Sequence, residues 1–150
     1  TIIFSENLCY YIYIQPATEV LIMLINKAIE TAAKAHDGQY DKGGEPYIYH
    51  PLRVMLYANG DENVKCAAVL HDVIEDTKIT EHELAEIGFG KDILVALRLL
   101  TRQPDDDYMD YIQRLKHNPT AKAVKLADLK DNMDMSRIKN PTEMDFKRLV

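Results

Sequence analysis

The chain has 150 residues, with 18 Lys and Arg against 24 Asp and Glu and a formal net charge of −6. That length supports one domain with one real core, and the acidic balance argues against a broad electrostatic footprint for DNA or RNA. A small anionic substrate is compatible with it only beside a local basic group or a metal. Two cysteines, Cys9 and Cys66, make no disulfide framework, no apolar run approaches the ~20 residues of a membrane span, and no basic leader precedes an apolar one, so the expected setting is the cytoplasm.

Residues 1–15 stand apart from the rest. Ile2, Ile3, Phe4 and the run Tyr10 to Ile14 are strand-like by composition. They read as an N-terminal extension of unassigned role: a stray strand, a tail that docks on a partner, or a cloning extension. The opening Thr1 suits a processed or cloned fragment. The domain proper is expected over residues 16–150.

Pro16-Ala17-Thr18 opens a long helix to about His36, with Leu21, Ile25, Ala28, Ala32 and His36 at helical spacing. The Gly-rich DGQYDKGGEPY segment is a loop. His50-Pro51 starts a second helix that ends near Asn59-Gly60, because proline suits a first-turn position. Asn63 is placed to cap the next helix. Thr80 to Glu83 forms a capping box for a short helix, with Gly88 and Gly90 bracketing its end. Further helices are expected from about Lys91 to Thr101, from Tyr108 to His117, and from Asn118-Pro119 to about Arg137. Asn140-Pro141 starts a last helix, which the reading expects to be cut short at Val150. Strand signals are nearly absent after residue 15, so the fold class is all-α: a single-domain helical array.

The stretch Cys66 to Thr77, CAAVLHDVIEDT, organises the chain. Its first half is apolar nearly all round, the pattern of a buried helix, and Cys66 reads as a small core residue. Yet His71, Asp72, Glu75 and Asp76 fill its last turns. His71 and Glu75 stack on one face, Asp72 and Asp76 on the next. An ionised Asp72 in a dry interior requires a cation or donor. The helix offers only Lys65, on its first turn, so a metal or acid/base site is the reading.

The metal-ligand candidates are His36, His50, His71, Asp72, His82, His117 and Asp128. Two imidazoles with two carboxylates suit Mn, Fe, Zn or Mg. Asp128 shares a stripe with Val124, Asn132 and Met135, while Leu126, Leu129 and Met133 form a second apolar face. Asp128 therefore points inward or pairs with Lys125 at the surface, and helix pattern alone divides evenly between the two. His36 ends an apolar stripe and reads as a core residue; His50 reaches inward from a helix entrance; His82 and His117 lie among polar neighbours and read as solvated.

In order along residues 28–138, AAKAHDGQ, GGEPYIYHPLRV, AAVLHDVIEDT, FGKDI, LLT and VKLADLKDN resemble the hydrolase domain of the RelA/SpoT alarmone enzymes and the small stand-alone alarmone hydrolases, a branch of the HD-domain metal-dependent phosphohydrolases. PYIxHP, HDxxEDT and VKLAD together are specific for that branch. The resemblance implies an all-α HD-domain fold and a metal set of His50, His71, Asp72 and Asp128, with Mn(II) as the usual ion. His36 then falls outside the ligand set. The resemblance further implies that Glu75 and Asp76 act on the attacking water and on proton transfer, that Asn132 lies near a ribose and that Lys42 lies near phosphate. The implied reaction releases pyrophosphate from the 3′ position of a guanosine tetraphosphate-like alarmone.

Three positions depart from the family pattern. Asp41 and Leu129 stand where the family usually has Arg, and Asp134 falls in its NxR segment. Acids near an anionic nucleotide are unfavourable. They keep two alternatives in view: a phosphatase for another nucleotide or dinucleotide cofactor, and a non-catalytic nucleotide-binding module. The expected partner is a small anionic nucleotide rather than nucleic acid or membrane, with homo-oligomerisation left open.

Overall fold

The computed structural model describes residues 24–138 together with residues 142, 143 and 146. The expectations for residues 1–15 and for the start of the first helix lie outside the described residues, and those for the last helix lie largely outside them.

Over the described residues 24–132, eight helical segments follow one another: α1 over residues 24–35, α2 Tyr49–Tyr57, α3 Glu62–Leu70, α4 Val73–Asp76, α5 Glu81–Ile87, α6 Lys91–Leu100, α7 Tyr108–Leu115 and α8 Pro119–Asn132. A 3-10 turn, Met135–Arg137, follows α8. The only extended pairing among the described residues is a single antiparallel bridge between Tyr40 and Pro46. The all-α expectation is met, and no helix among the described residues is long and apolar enough to cross a membrane.

Helix α3 is the centre. Val64 and the whole run from Cys66 to Leu70 are buried, because α2, α6 and α8 all pack against it. The second half of the helix, surrounded in this way, has no solvated face, which is what the apolar run from Cys66 to Leu70 requires. Helix α6 contributes one stripe, Ile93, Ala96, Leu97 and Leu100, at the spacing of one helix face. The Cys66 thiol lies in this core, and burial pushes it up to about 11, so it packs rather than reacts.

Local chemistry sets the helix ends. Thr80 and Glu83 form the expected reciprocal capping box, and Gly88 ends α5 in the left-handed region at φ 108°. Asn118 caps α8 by accepting from the Ala121 amide. Asp61, not Asn63, caps α3: its carboxylate accepts from the Val64 amide at 3.1 Å, which starts the helix at Glu62. Lys65 turns away from the helix end and donates to the Met55 and Ala58 carbonyls, closing the C-terminus of α2.

Three further expectations are corrected. The Cys66–Thr77 stretch is not one continuous helix; α3 stops at Leu70 and α4 begins at Val73. Asp72 departs from helical geometry, at φ −95° and ψ −7°, and the ladder resumes only with the Asp76 amide donating to the Asp72 carbonyl. Helix α8 ends at Asn132 rather than near Arg137, because Asp134 caps the following 3-10 turn through the Ser136 amide. The second apolar face of α8 is not buried: Leu126 is 60% and Met133 54% exposed. Helices α2, α3 and α6 meet α8 on the face of Val124, Ala127, Asp128 and Asp131 instead.

Candidate metal centre

The break after α3 places the site. Neighbouring residues on an ideal helix point about 100° apart. With the ladder interrupted, His71 and Asp72 turn toward one point, and His71 Nε2 lies 3.1 Å from Asp72 Oδ2. His50, on the first turn of α2, brings its Nε2 to 3.4 Å from Asp72 Oδ2 and 3.4 Å from Asp128 Oδ1. Asp128 reaches in from α8, with Oδ1 3.7 Å from His71 Nε2. One donor atom from each of His50, His71 and Asp128 lies within 4.8 Å of the others, and all three residues are buried.

Both imidazoles turn Nε2 to this point because Nδ1 is engaged elsewhere. His71 Nδ1 donates to the Ala68 carbonyl at 2.8 Å, and His50 Nδ1 donates to Asp131 Oδ2 at 2.7 Å. A carbonyl and a carboxylate only accept, so Nδ1 carries the proton in each ring. His71 Nε2 is buried and has no hydrogen-bond partner among the described residues, since its approach to Asp72 lacks hydrogen-bond geometry. Two donors bound to one ion at about 2.1 Å and a right angle apart lie roughly 3.0 Å from each other. Separations of 3.1 to 3.7 Å, an orphaned imidazole nitrogen and a mixed nitrogen–carboxylate donor set therefore fit a divalent cation.

The electrostatics point the same way. Burial would raise the Asp72 and Asp128 carboxyls, but the facing imidazoles hold both well below the usual carboxylate range. Burial pulls His50 and His71 down; the carboxylates outweigh it and raise them to about 9 and about 10. Tyr47 donates from its hydroxyl to Asp72 Oδ2 at 2.6 Å and reaches Asp76 Oδ2 at 3.3 Å. Partial burial and the charge of Asp72 raise the Asp76 carboxyl.

A cavity of about 370 Å³ opens above the cluster. His50, Asp72 and Asp128 line it together with Tyr40, Lys42, Tyr47, Asn132 and Ile138. The α1–α2 loop forms one wall, and Asp41 builds that loop by accepting from the Gly43 and Glu45 amides. Asp134 also lines the cavity and caps the 3-10 turn. Both acids that depart from the family pattern thus have a local backbone task.

The HD-domain family profile matches residues 28–129. The chain belongs to the HD-domain family. Over 130 residues this HD domain is 38% identical to the Xenopus tropicalis protein named guanosine-3′,5′-bis(diphosphate) 3′-pyrophosphohydrolase MESH1, covering 76% of this chain and 70% of that protein. A Haemophilus influenzae protein carrying the same enzyme name is 37% identical over 115 residues, 68% of this chain and 17% of its own length. A Mycoplasma pneumoniae relative, 46% identical over 76 residues, matches 49% of this chain and only 10% of its own length. The chain thus spans a small part of those bacterial proteins. The solved structure of a metazoan ortholog of SpoT that hydrolyses ppGpp superposes with a TM-score of 0.71 at 26% identity, covering 84% of this chain and 79% of that one.

Of the residues singled out in the sequence, His50, His71, Asp72 and Asp128 come together, and Lys42 and Asn132 line the cavity above them. Asn132 also donates to Asp128 Oδ1 at 2.6 Å. Asp128 points inward, as the first of the two sequence readings has it; it is buried rather than at the surface, and it still pairs with Lys125, Oδ2 to Nζ at 2.8 Å. Glu75 and Asp76 diverge. Asp76 stays within reach of the Tyr47 hydroxyl, whereas Glu75 accepts from the Arg102 amide at 2.9 Å, toward the α6–α7 loop. His36 is buried outside the cluster, with its ring 4.8 Å from that of Tyr47. His82 and His117 are exposed.

Sequence reasoning missed Asp131, Tyr47 and Arg53. Asp131 is fully buried and bridges His50 and Arg53. Its position three residues after Asp128, on the same face of a helix, was the available signal.

Proposed function

We propose that this HD domain is a metal-dependent phosphohydrolase that removes the 3′-pyrophosphate of a guanosine tetraphosphate-like alarmone in the cytoplasm. The observation that carries the reading is the convergence of two imidazole Nε2 atoms with Asp72 and Asp128 at the base of an open cavity. The enzyme names of the relatives support the substrate, with MESH1 matched over most of its length. His50, His71, Asp72 and Asp128 would hold one divalent ion, with Mn(II) the first choice and Fe, Zn or Mg the alternatives. Such an ion lowers the pKa of a coordinated water and polarises a phosphoryl oxygen.

The protein's own groups do the rest. Asp76, whose carboxyl partial burial and the charge of Asp72 raise above its ordinary value, is the acid placed to exchange a proton, and the Tyr47 hydroxyl ties it to the cluster. Glu75, the next acid in the segment, is assigned to the same water and leaving-group chemistry; to act there its carboxylate must leave the Arg102 amide. Lys42, on the loop over the cavity, would meet phosphate. Asn132 would meet the ribose while steadying Asp128. A second reading, a phosphatase for another nucleotide, draws on the acidic rim of Asp41 and Asp134.

A panel of nucleotides incubated with the Mn(II)-loaded protein separates these readings. Pyrophosphate released from the alarmone is the expected product. Orthophosphate from a simpler nucleotide, with the alarmone untouched, moves the assignment to the second reading. Tight binding with no turnover under any divalent ion would reduce the chain to a nucleotide-binding module.

A further inference from the structure

The two imidazoles of the cluster are held in place by unequal means. His71 Nδ1 is locked by the Ala68 carbonyl of its own helix, which no side-chain substitution removes. His50 has no such backbone acceptor. Its Nδ1–H is held by Asp131, 81 residues away in the chain, and Asp131 is fully buried. Arg53, one turn beyond His50 on α2, closes on the same carboxylate: Nε lies 2.6 Å from Oδ1 and Nη2 3.1 Å from Oδ2. Helix α2 thus offers a ring N–H and a guanidinium to one side chain of α8.

We propose that Asp131 is the positioning residue of the metal centre, fixing His50 as the Nδ1–H tautomer with Nε2 aimed at the cation, while Arg53 holds the carboxylate in place through two hydrogen bonds. This rests on the reading of His50 as a metal ligand. A carboxylate behind a ligating imidazole fixes ring orientation and raises the basicity of the donor nitrogen, and losing it typically weakens metal binding about 10- to 100-fold. The competing account is that the Asp131–Arg53 pair only pins α8 to α2. That account predicts a change in thermal stability with metal affinity untouched.

The test is the Kd for Mn(II), measured by calorimetry on wild type, Asp131→Ala, Asp131→Asn and His50→Ala, with the visible spectrum of the Co(II)-substituted proteins as a second readout. Asp131→Ala removes the acceptor and should raise Kd by about 10- to 100-fold and shift the Co(II) bands. Asp131→Asn keeps an oxygen for Nδ1–H but loses the charge, and should fall between wild type and Asp131→Ala. A Kd for Asp131→Ala within threefold of wild type, with His50→Ala clearly weakened, overturns the proposal and leaves the metal reading intact. If His50→Ala itself binds Mn(II) like wild type, the ligand assignment fails and this inference falls with it. Should Asp131→Ala not fold, as judged by circular dichroism, the same threefold limit is applied to Asp131→Asn.

Discussion

Tyr47→Phe deletes a single oxygen and leaves the ring in its tilted contact with His36. In the structure that oxygen donates to Asp72 Oδ2 at 2.6 Å, the shortest contact Asp72 makes in the cluster, and lies 3.3 Å from Asp76 Oδ2. A net hydrogen bond to a charged group is worth about 1.5–3 kcal/mol, and the partial exposure of Tyr47 places it at the lower end. For 150 residues the unfolding entropy is roughly 0.3 kcal/mol/K, so about 1.5 kcal/mol corresponds to a fall in Tm of about 5 °C. The second consequence is electrostatic. Tyr47 lowers the Asp76 carboxyl while Asp72 raises it, so removing the hydroxyl should drive Asp76 further up and move the acid limb of the kcat profile to higher pH. Melting of the chelated protein and a pH–rate profile of the Mn(II)-loaded protein check both parts. An unchanged Tm with an unmoved acid limb would show that the hydroxyl bears on neither carboxylate.

Other outcomes follow from the same geometry. Stripping metal with a chelator should lower Tm by about 9 °C relative to protein at a hundredfold excess of Mn(II) over Kd, the equivalent of about 2.7 kcal/mol over this chain length; a Tm indifferent to chelation would dismiss the site. Proton and metal compete for Nε2, and the rings of His50 and His71 hold their extra protons up to about pH 9 and 10, so Mn(II) affinity should climb from pH 6 to 9 with proton release measurable in buffers of different ionisation heat. By the same sign, the chelated protein gains stability from these raised imidazoles at pH below their ordinary value of 6.5 and loses it as pH rises through about 9. Asp76→Ala and Glu75→Ala should each retain Mn(II) and lose at least about 100-fold in kcat, the usual scale for a general acid or base; a kcat within a few-fold of wild type removes that residue from the proton chemistry.

The sequence by itself determined the helices, the buried character of the central one and most of the caps, because these are local. Apolar spacing selects a helix face, and Thr80, Asn118 and Gly88 satisfy helix ends within a few residues. The four side chains that meet were named by the resemblance that the PYIYHP, HDVIEDT and VKLAD segments carry, not by helix pattern, which left His36 and His50 unseparated. Other features were decided only by the tertiary structure. The interruption at Asp72 is a backbone adjustment that lets adjacent residues share a target, and no propensity records it. Whether Asp128 faced inward or lay at the surface was undecidable from periodicity; packing buries it, with one oxygen toward His50 and the other on Lys125. The separation of Glu75 from Asp76 depended on where the α6–α7 loop presented the Arg102 amide. Asp131 stayed hidden because its meaning lies in a contact across 81 residues: only when α8 packs on α2 does an ordinary helix acid become the partner of an imidazole and a guanidinium. Local pattern specifies which groups can face inward; long-range packing specifies which of them meet, and the chemistry of the site resides in that meeting.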